Sequence, residues 1–303
     1  MPAEYTRLLS HRLPLVRGSD VEAVQRRLDT WGFSPGPIDG LYGRTTETAV
    51  RDFQASRGLK VDGIVGPRTW SALFSDHGVA RIEQLVPELA EPHTFRDSVE
   101  WHLAPEGLLV ESTEAPEVWG GPPRTVRQVW TDFGGAIREW ARDFGVPVEL
   151  IVSTICTESD GQPDATREEP GYVSDAKTPD RVSVGLMQTL ISTAQTVLGE
   201  EEIDRDWLLT PGNSIRAGTA YIARQWKETH LDPPKVACAY NAGGVYYNDS
   251  PDNRWRMRQY PIGTSAHADR FVKWLNECFL MFDEDGGAPP HSFYHQVPEA
   301  TEN

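Results

Sequence analysis

The sequence predicts a mainly α-helical protein with two domains. Its 303 residues are enough for about two domains at the usual size of roughly 150 residues each. Apolar residues recur at helical spacing from Val126 to Phe282, and two matched Asp-Gly turns within residues 15–75 each lead into an amphipathic segment. These patterns predict a small three-helix domain over residues 13–76 and a larger helical domain over residues 125–282.

The composition excludes several classes of partner. Hydrophobic residues make up 39% and charged residues 24% of the chain, which are ordinary values for a soluble globular protein. No apolar run approaches the ~20 residues that a membrane span needs, so we expect no membrane insertion. The net charge of −16 and the lack of a basic stripe argue against nucleic acid and anionic membranes as partners. We expect a monomer.

The cysteines and histidines do not form a recognisable metal site. Cys156, Cys238 and Cys278 contain no Cys-x-x-Cys pair, and each lies in an apolar periodic stretch. Such cysteines are usually buried small hydrophobes. The eight histidines include no His-Glu-x-x-His motif. We therefore predict no metal and no cofactor.

A short internal repeat organises the first domain. The run Asp39-Gly40-Leu41-Tyr42-Gly43-Arg44-Thr45-Thr46 is echoed by Asp62-Gly63-Ile64-Val65-Gly66-Pro67-Arg68-Thr69. The Asp-Gly pairs predict turns, and the second glycine of each copy allows a positive φ. Each copy leads into an amphipathic helix with Thr46 or Thr69 as the candidate N-cap. A third helical pattern begins at Val21, with Asp20 as its candidate cap.

Residues Leu15 to Phe74 resemble the peptidoglycan-binding domain found on many wall hydrolases. The resemblance is carried by Val16-Arg17-Gly18-Ser19-Asp20-Val21, Val24-Gln25-Arg26-Arg27-Leu28, Gly32-Phe33 and the two Asp-Gly turns that flank Ala49-Val50-Arg51-Asp52-Phe53-Gln54. Most of these residues are expected to set backbone and core. The resemblance implies that the domain binds the bacterial wall, and we take Trp31, Tyr42 and Arg44 as candidate ligand contacts.

Two further segments carry weaker patterns. Residues 77–124 are rich in Pro and Glu and are expected to form a partly ordered linker. They include a candidate strand pair, Val99–Leu103 and Leu108–Glu111, with Glu106-Gly107 as its turn. Residues 283–303 are polar and rich in Pro and Gly, which predicts a disordered tail.

One carboxylate stands at the margin of a buried helical stripe. The helix that begins at Pro147 places Glu158 beside Ile151, next to the stripe. That stripe consists of Val148, Ile151, Val152, Ile155 and Cys156. Burial disfavours the charged form of a carboxyl, which gives it the raised pKa that a general acid needs near neutral pH. By position alone, however, a Glu near a helix end is more often a solvated surface residue.

Four blocks follow Glu158-Ser159 in a fixed order. They are Gly185-Leu186-Met187-Gln188, Ser192-Thr193-Ala194, Asn213-Ser214-Ile215 and Ala239-Tyr240-Asn241-Ala242-Gly243. In this order they resemble the soluble-type lytic transglycosylase domain, which is related to goose-type lysozymes, over roughly Val126 to Leu280. The resemblance implies a lysozyme-like fold and peptidoglycan glycan strands as the substrate. It implies Glu158 as the catalytic acid and then base, and a substrate cleft formed by Ser159, Met187, Gln188, Tyr240 and Asn241.

The resemblance leaves three functions open. A lytic transglycosylase needs one carboxylate, because the muramyl C6 hydroxyl closes a 1,6-anhydro ring and no water is consumed. An inverting muramidase of the same fold needs a second carboxylate ~6.5–9.5 Å from the first. Goose-type lysozymes can carry an Asp at the position of Leu190, so Asp180 and Asp175 are the candidate second acids here. The third function is a catalytically inactive wall-binding protein.

The chain also departs from the family pattern. Many relatives have a Met-Pro pair where this chain has Leu190-Ile191, and a Tyr in the last helix where it has Phe271. A hydroxyl near the acid is therefore expected to be missing. The insertion from Arg167 to Val182 is long and is a candidate lid. The N-terminus lacks the ~7–15-residue apolar core of a secretory signal, so we expect synthesis in the cytoplasm followed by release or delivery, as for a phage endolysin or an injected effector.

Overall fold

The computed structural model describes residues 5–30, 33–56, 59–74, 77–111 and 113–297. The chain forms two compact units, residues 1–77 and residues 78–303. Within the described residues there are thirteen α-helices and two small three-stranded sheets. The mainly helical fold predicted from the sequence is therefore confirmed. None of the helices in these ranges combines the length and the apolar character that a membrane span requires.

The first unit is built from the three predicted helices. They are α1 (Ser19–Thr30), α2 (Arg44–Ser56) and α3 (Pro67–Phe74). Their apolar faces enclose one small core, with Leu28, Phe53 and Leu73 fully buried. Isolated β-bridges pair Leu9 with Val65 and Arg17 with Leu41. They hold the two Asp-Gly turns against the segment that precedes α1.

A buried glutamine holds each of the two matched turns. The Gln25 amide accepts from the backbone N–H groups of Asp39 (3.2 Å) and Gly40 (2.8 Å) and donates to Thr46. Gln54 does the same with Asp62, Gly63 and Thr69 in the second copy. The prediction that Thr46 and Thr69 cap their helices is wrong: each is the third residue of its helix, and its hydroxyl accepts a hydrogen bond from the glutamine amide instead.

The expectation of a linker over residues 77–124 is also wrong. This region contains α4 (His77–Ala90), β1 (His93–Thr94), β2 (Glu100–Ala104) and β3 (Gly107–Val110), which begin the second unit. The predicted hairpin is present, but its turn is Pro105–Glu106, since Ala104 pairs with Gly107. Leu85, Trp101 and Leu108 are buried in the main core, so the segment is part of the domain.

The rest of the second unit surrounds one central helix. Its helices are α5 (Arg124–Phe144), α6 (Val148–Ser159), α7 (Ile191–Leu198), α8 (Arg205–Leu209), α9 (Pro211–Arg224), α10 (Trp226–Thr229), α11 (Pro233–Ala242), α12 (Ala266–Glu284) and α13 (Phe293–Gln296). A second sheet consists of β4 (Thr166–Glu168), β5 (Val182–Val184) and β6 (Thr189–Leu190), in that order. Helix α6 packs against α5, α9, α11 and α12. It is therefore buried on all sides rather than along one stripe.

The structure places residues 283–297 in the second unit, which corrects the expectation of a disordered tail for that part of residues 283–303. Helix α13 brings the Ser292 hydroxyl and the backbone N–H groups of Phe293 and Tyr294 to the buried carboxyl of Glu149. Phe293 itself is fully buried in the main core. Residues 298–303 lie outside the described part of the chain.

Candidate active site

Glu158 lies in the last turn of α6. Every residue of the helix from Val148 to Thr157, and Ser159 after it, is buried, whereas 19% of the Glu158 side chain is exposed. The helix ends at Asp160, whose φ of 52° turns the chain away. Glu158 is therefore the one residue of the central helix whose side chain reaches solvent.

Burial raises the pKa of the Glu158 carboxyl to about 7. The guanidinium groups of Arg270 and Arg167 oppose this shift, because a nearby positive charge favours the carboxylate. Both charged side chains that act on Glu158, among the described residues, are therefore cations. The carboxyl can hold a proton near neutral pH and release it there, which is the property a general acid needs. The raised pKa predicted from the sequence is in agreement with this geometry.

The Gly185–Gln188 loop is fastened beside Glu158. The Ser159 hydroxyl donates to the carbonyl oxygen of Leu186 at 2.7 Å, and the Ser214 hydroxyl accepts from the Met187 N–H at 3.1 Å. Gly185 has a φ of +76°, and a Cβ there would lie 2.3 Å from the carbonyl oxygen of Leu208. Only glycine fits this turn, so the loop conformation follows from the sequence.

Three of the expected cleft residues contact the protein itself. The Ser159 hydroxyl is engaged by backbone carbonyls, and the Met187 side chain is fully buried where Gly218 leaves room for it. Gln188 has a φ of 44°, and its amide donates to the carbonyl oxygens of Ala165 (2.9 Å) and Gly185 (3.0 Å). These side chains hold the loop in shape, which corrects the expectation that the Ser159 and Met187 side chains line the cleft.

Tyr240 supports the same loop from α11. Its hydroxyl donates to the carbonyl oxygen of Met187 at 2.8 Å and contacts the hydroxyl of Thr189 at 3.0 Å. Burial raises the Tyr240 pKa well above its ordinary value, and the Glu158 charge adds to the shift. The tyrosine is thus a neutral group close to the acid, and its hydroxyl is engaged by the loop rather than by the Glu158 carboxyl.

Asn241 and His267 form the other side of the site. The Asn241 side-chain oxygen accepts from the Tyr260 N–H at 2.6 Å, and its nitrogen lies 3.4 Å from Nδ1 of His267. Nε2 of His267 lies 3.7 Å from Oε1 of Glu158. His267 was not among the residues predicted from the sequence. Its signal was its place on α12, one helical turn before Phe271, where the family pattern puts a polar group.

The two candidate second acids are held elsewhere. Both oxygens of Asp175 accept from Arg205, at 2.8 and 2.9 Å, and Tyr172 donates to it at 2.7 Å. The bond from Arg205 holds the Asp175 pKa below its ordinary value. Asp180 is exposed and lies 3.6 Å from the guanidinium of Arg181. Neither is among the charges that act on Glu158.

The insertion over residues 167–182 is fixed rather than free-standing. β4 pairs with β5, the Glu169 N–H donates to the carbonyl oxygen of Arg181 at 2.8 Å, and Arg205 joins the insertion to α8 through Asp175. Val182 and Val184 anchor its end in a small separate core. This pairing carries Arg167 to the neighbourhood of Glu158.

The first unit presents a groove of about 490 Å³ on α2. Arg44, Thr48 and Asp52 follow one another at four-residue spacing along its wall, with Phe33 beside them. Of the candidate ligand contacts, Arg44 is one of the residues that line this groove. Tyr42 is not: it is fully buried, and its hydroxyl donates to the carbonyl oxygen of Gly63 at 3.0 Å. Trp31 lies outside the described residues.

Family models match both units. Residues 17–73 match the peptidoglycan binding domain, and residues 135–258 match the transglycosylase SLT domain. The chain therefore joins a peptidoglycan-binding domain to an SLT domain. Glu158, the Gly185–Gln188 loop and Tyr240 lie inside the SLT match, whereas His267 lies beyond its end.

Parts of this chain are similar to parts of two bacterial enzymes. The spore cortex-lytic enzyme of Bacillus subtilis is 43% identical over 79 residues, 26% of this chain and 26% of that enzyme. The N-acetylmuramoyl-L-alanine amidase CwlM of Mycobacterium tuberculosis is 33% identical over 119 residues, 34% of this chain and 29% of the amidase. The chain thus spans less than a third of either relative. An inactive mutant of lytic transglycosylase Slt from Pseudomonas aeruginosa superimposes with a TM-score of 0.39 and 16% identity, over 91% of this chain and 40% of that one.

Proposed function

We propose that this protein is a peptidoglycan lytic transglycosylase that cleaves the β-1,4 bond between N-acetylmuramic acid and N-acetylglucosamine. The observation that carries the proposal is the environment of Glu158. Its pKa is raised to about 7 by burial, and the charges acting on it, among the described residues, are those of Arg270 and Arg167. One carboxyl that can give and then take a proton is sufficient for this reaction.

The chemistry divides into two proton transfers by Glu158. In the first, the protonated carboxyl gives its proton to the glycosidic oxygen while the bond from that oxygen to the muramyl C1 breaks. The substrate's own N-acetyl oxygen stabilises the positive charge at C1, as in substrate-assisted glycosidases. In the second, the Glu158 carboxylate takes the proton of the C6 hydroxyl. The C6 oxygen then bonds to C1 and closes the 1,6-anhydro ring, so the enzyme returns to its starting state without consuming water.

The surroundings of Asp175 weigh against the muramidase alternative. A water-activating base must be free to accept a proton from water opposite the acid. Asp175 instead accepts two hydrogen bonds from Arg205, which lower its pKa. The alternative of a wall-binding protein without activity is disfavoured by the surroundings of Glu158. Burial of a carboxyl costs folding free energy, and a buried carboxyl with a raised pKa is typical of acid–base chemistry.

Mass spectrometry of soluble products from purified sacculi tests the proposal. The wild-type protein is expected to release muropeptides that end in 1,6-anhydromuramic acid, one water lighter than hydrolysis products, and E158Q is expected to release none. D175N serves as a matched carboxylate control and should keep the anhydro product. Reducing-end products that disappear in D175N would establish the muramidase instead. Sedimentation with sacculi without any release would leave only wall binding.

We further propose that the groove on α2 holds the wall through Arg44. A guanidinium, a hydroxyl and a carboxylate beside an aromatic ring suit the hydroxyl and amide groups of a glycan or stem peptide. R44A is expected to lower sedimentation with sacculi and to leave the cleavage of short soluble glycan fragments intact. R26A, which removes an exposed arginine on α1, controls for the loss of one positive charge. Equal binding by both variants would place the wall contact elsewhere.

A further inference from the structure

We propose that His267 is a positioning residue that presents a neutral imidazole Nε2–H to Oε1 of Glu158 and leaves Oε2 to exchange the proton with the substrate. The inference rests on the proposed function, because it assigns the partner of the acid in that reaction. It does not follow from the SLT match, which ends at residue 258.

A chain of three contacts sets the tautomer of His267. The Tyr260 N–H donates to Oδ1 of Asn241 at 2.6 Å, which fixes the amide with its nitrogen on the other side. That Nδ2 faces Nδ1 of His267 at 3.4 Å. An amide nitrogen only donates hydrogen bonds, so Nδ1 has to accept. The ring proton therefore stands on Nε2, the atom that lies 3.7 Å from Oε1 of Glu158.

The ring is neutral at the pH where Glu158 works. Burial and the positive charge of Arg270 lower the His267 pKa to about 4. Within the described ranges, the groups that face Glu158 are His267 and Arg270 from α12, Arg167 from β4 and Tyr240 from α11. A third cation in this set would favour the carboxylate and remove the proton before the first step. The neutral His267 imidazole can donate a hydrogen bond without adding this third positive charge.

The contact gains strength in the course of the reaction. At 3.7 Å it is longer than a hydrogen bond, and catalytic hydrogen bonds often shorten only when substrate is present. After the first proton transfer Glu158 is a carboxylate, and a hydrogen bond to a charged acceptor is about twice as strong as one between neutral groups. The imidazole therefore stabilises the charge that develops on the enzyme more than it stabilises the resting acid.

His267 also accounts for the missing tyrosine hydroxyl. Phe271 stands where the family pattern has a Tyr, and it is buried without a polar atom. His267 precedes it by four residues on the same face of α12. The polar contact to the acid thus comes from one helical turn earlier in this chain.

Nitrogen NMR tests the tautomer without any need for turnover. Long-range proton–nitrogen spectra of 15N-histidine-labelled protein at about pH 7 should show His267 with a protonated Nε2 and a bare Nδ1, assigned by the signal lost in H267Q. In N241D the carboxylate should draw a proton to Nδ1 and make the ring cationic. A wild-type ring protonated on Nδ1, or on both nitrogens, would overturn the proposal.

Kinetics on solubilised glycan chains test the role. H267F is expected to lower kcat by about 10- to 100-fold, the effect of losing one hydrogen bond to a charged group, and to move the high-pH limb of the rate profile upward. H267Q, which keeps an N–H donor, should recover most of the rate. N241D should move the same limb downward, because a cationic ring favours the carboxylate.

The controls separate the two proposals. H230N removes an exposed imidazole at the end of α10 and should leave the profile unchanged, and thermal unfolding checks that each variant is folded. If H267F matches the wild type in kcat and profile, or if H267Q is as impaired as H267F, the positioning role is refuted. If the wild type itself forms no anhydro product, the proposed function fails, while the NMR result still decides the tautomer.

Discussion

The hydroxyl of Ser159 donates a 2.7 Å hydrogen bond to the carbonyl oxygen of Leu186. This bond joins the end of α6, which carries Glu158, to the Gly185–Gln188 loop, which Ser214 and Tyr240 also contact. The helix end that carries the acid and the loop beside it are therefore joined directly. Ser159, which the resemblance implied as a substrate contact, instead holds the Gly185–Gln188 loop against the end of α6.

S159A is expected to impair both stability and turnover. It leaves the Leu186 carbonyl without its donor in a buried place, at a cost of about 1–3 kcal/mol in the free energy of unfolding. The loosened loop should lower kcat without moving the pH at which activity is lost. Urea unfolding and product release measure the two effects. T131A removes an exposed hydroxyl that bonds within α5, and an equal effect in that variant would contradict the fastening role.

The Glu158 carboxyl should make stability depend on pH in a defined direction. Its pKa is 4.5 as a free side chain and about 7 in the folded protein, so the folded state keeps a proton that the unfolded chain loses over that interval. Stability therefore falls as pH rises from about 4.5 to above 7. E158Q lacks this loss, and its advantage over the wild type in the free energy of unfolding should grow by about 3 kcal/mol between pH 4 and pH 8.

Urea unfolding at both pH values measures this difference, with E201Q at an exposed site as the control for a change of net charge. A constant difference between E158Q and the wild type would contradict the raised pKa. The same ionisation should lower kcat/KM above about pH 7, since the first step requires the protonated acid.

The features predicted correctly depended on local or repeated patterns. The apolar spacing that ends at Glu158 gave both the helix and the direction of the pKa shift, because burial follows from the neighbours on the same helix. The Asp-Gly turns follow from backbone geometry that few residues allow. Their positive φ lies at Gly40 (70°) and Gly63 (66°), the first glycine of each copy, and the prediction that it lies at the second glycine is wrong. These signals lie within a few residues of the feature that they predict.

The features missed depended on contacts between distant segments. Tyr42 follows a turn and was expected to face a ligand, yet its ring fills the core and its hydroxyl finds a carbonyl in the second turn. The strand pair within residues 77–124 was predicted, but the Pro- and Glu-rich composition gave no sign that Trp101 and Leu103 of β2 are buried in the main core of the second unit. His267 lies beside Glu158 because α12 packs against α6, a contact between segments that are more than 100 residues apart in the chain. A local sequence pattern does not encode contacts between segments that are far apart in the chain.

Gln54 is expected to be essential for the first unit. Q54A leaves the Asp62 and Gly63 N–H groups without their acceptor inside the fold, which should cost about 2–4 kcal/mol in local stability. Q54E should be worse, because its carboxylate faces Asp62 and cannot donate. Amide hydrogen exchange of the first unit measures the loss, and sedimentation with sacculi measures its effect on binding. Q128A, at an exposed glutamine on α5, should change neither. Normal protection in Q54A would refute this account of the turns.

Glu149 makes the C-terminal segment a part of the second unit. Its carboxyl is fully buried, and burial raises its pKa against the opposing hydrogen bonds from Ser292, Phe293 and Tyr294. Deletion of residues 290–303 removes these donors and empties the site of the Phe293 ring. A buried polar group without partners and a lost aromatic side chain each cost several kcal/mol, so a loss of about 3–5 kcal/mol or more is expected.

Urea unfolding of the full chain and of two truncations measures this loss. Deletion of residues 298–303 is the matched control, since it keeps every donor to Glu149. S292A should lose about 1–3 kcal/mol, between the two truncations. In the chain that lacks residues 290–303, E149Q should recover part of the lost free energy of unfolding, because a neutral amide replaces a carboxyl that has lost its hydrogen-bond donors. Equal free energies of unfolding for both truncations would show that the segment contributes nothing to the fold around α6.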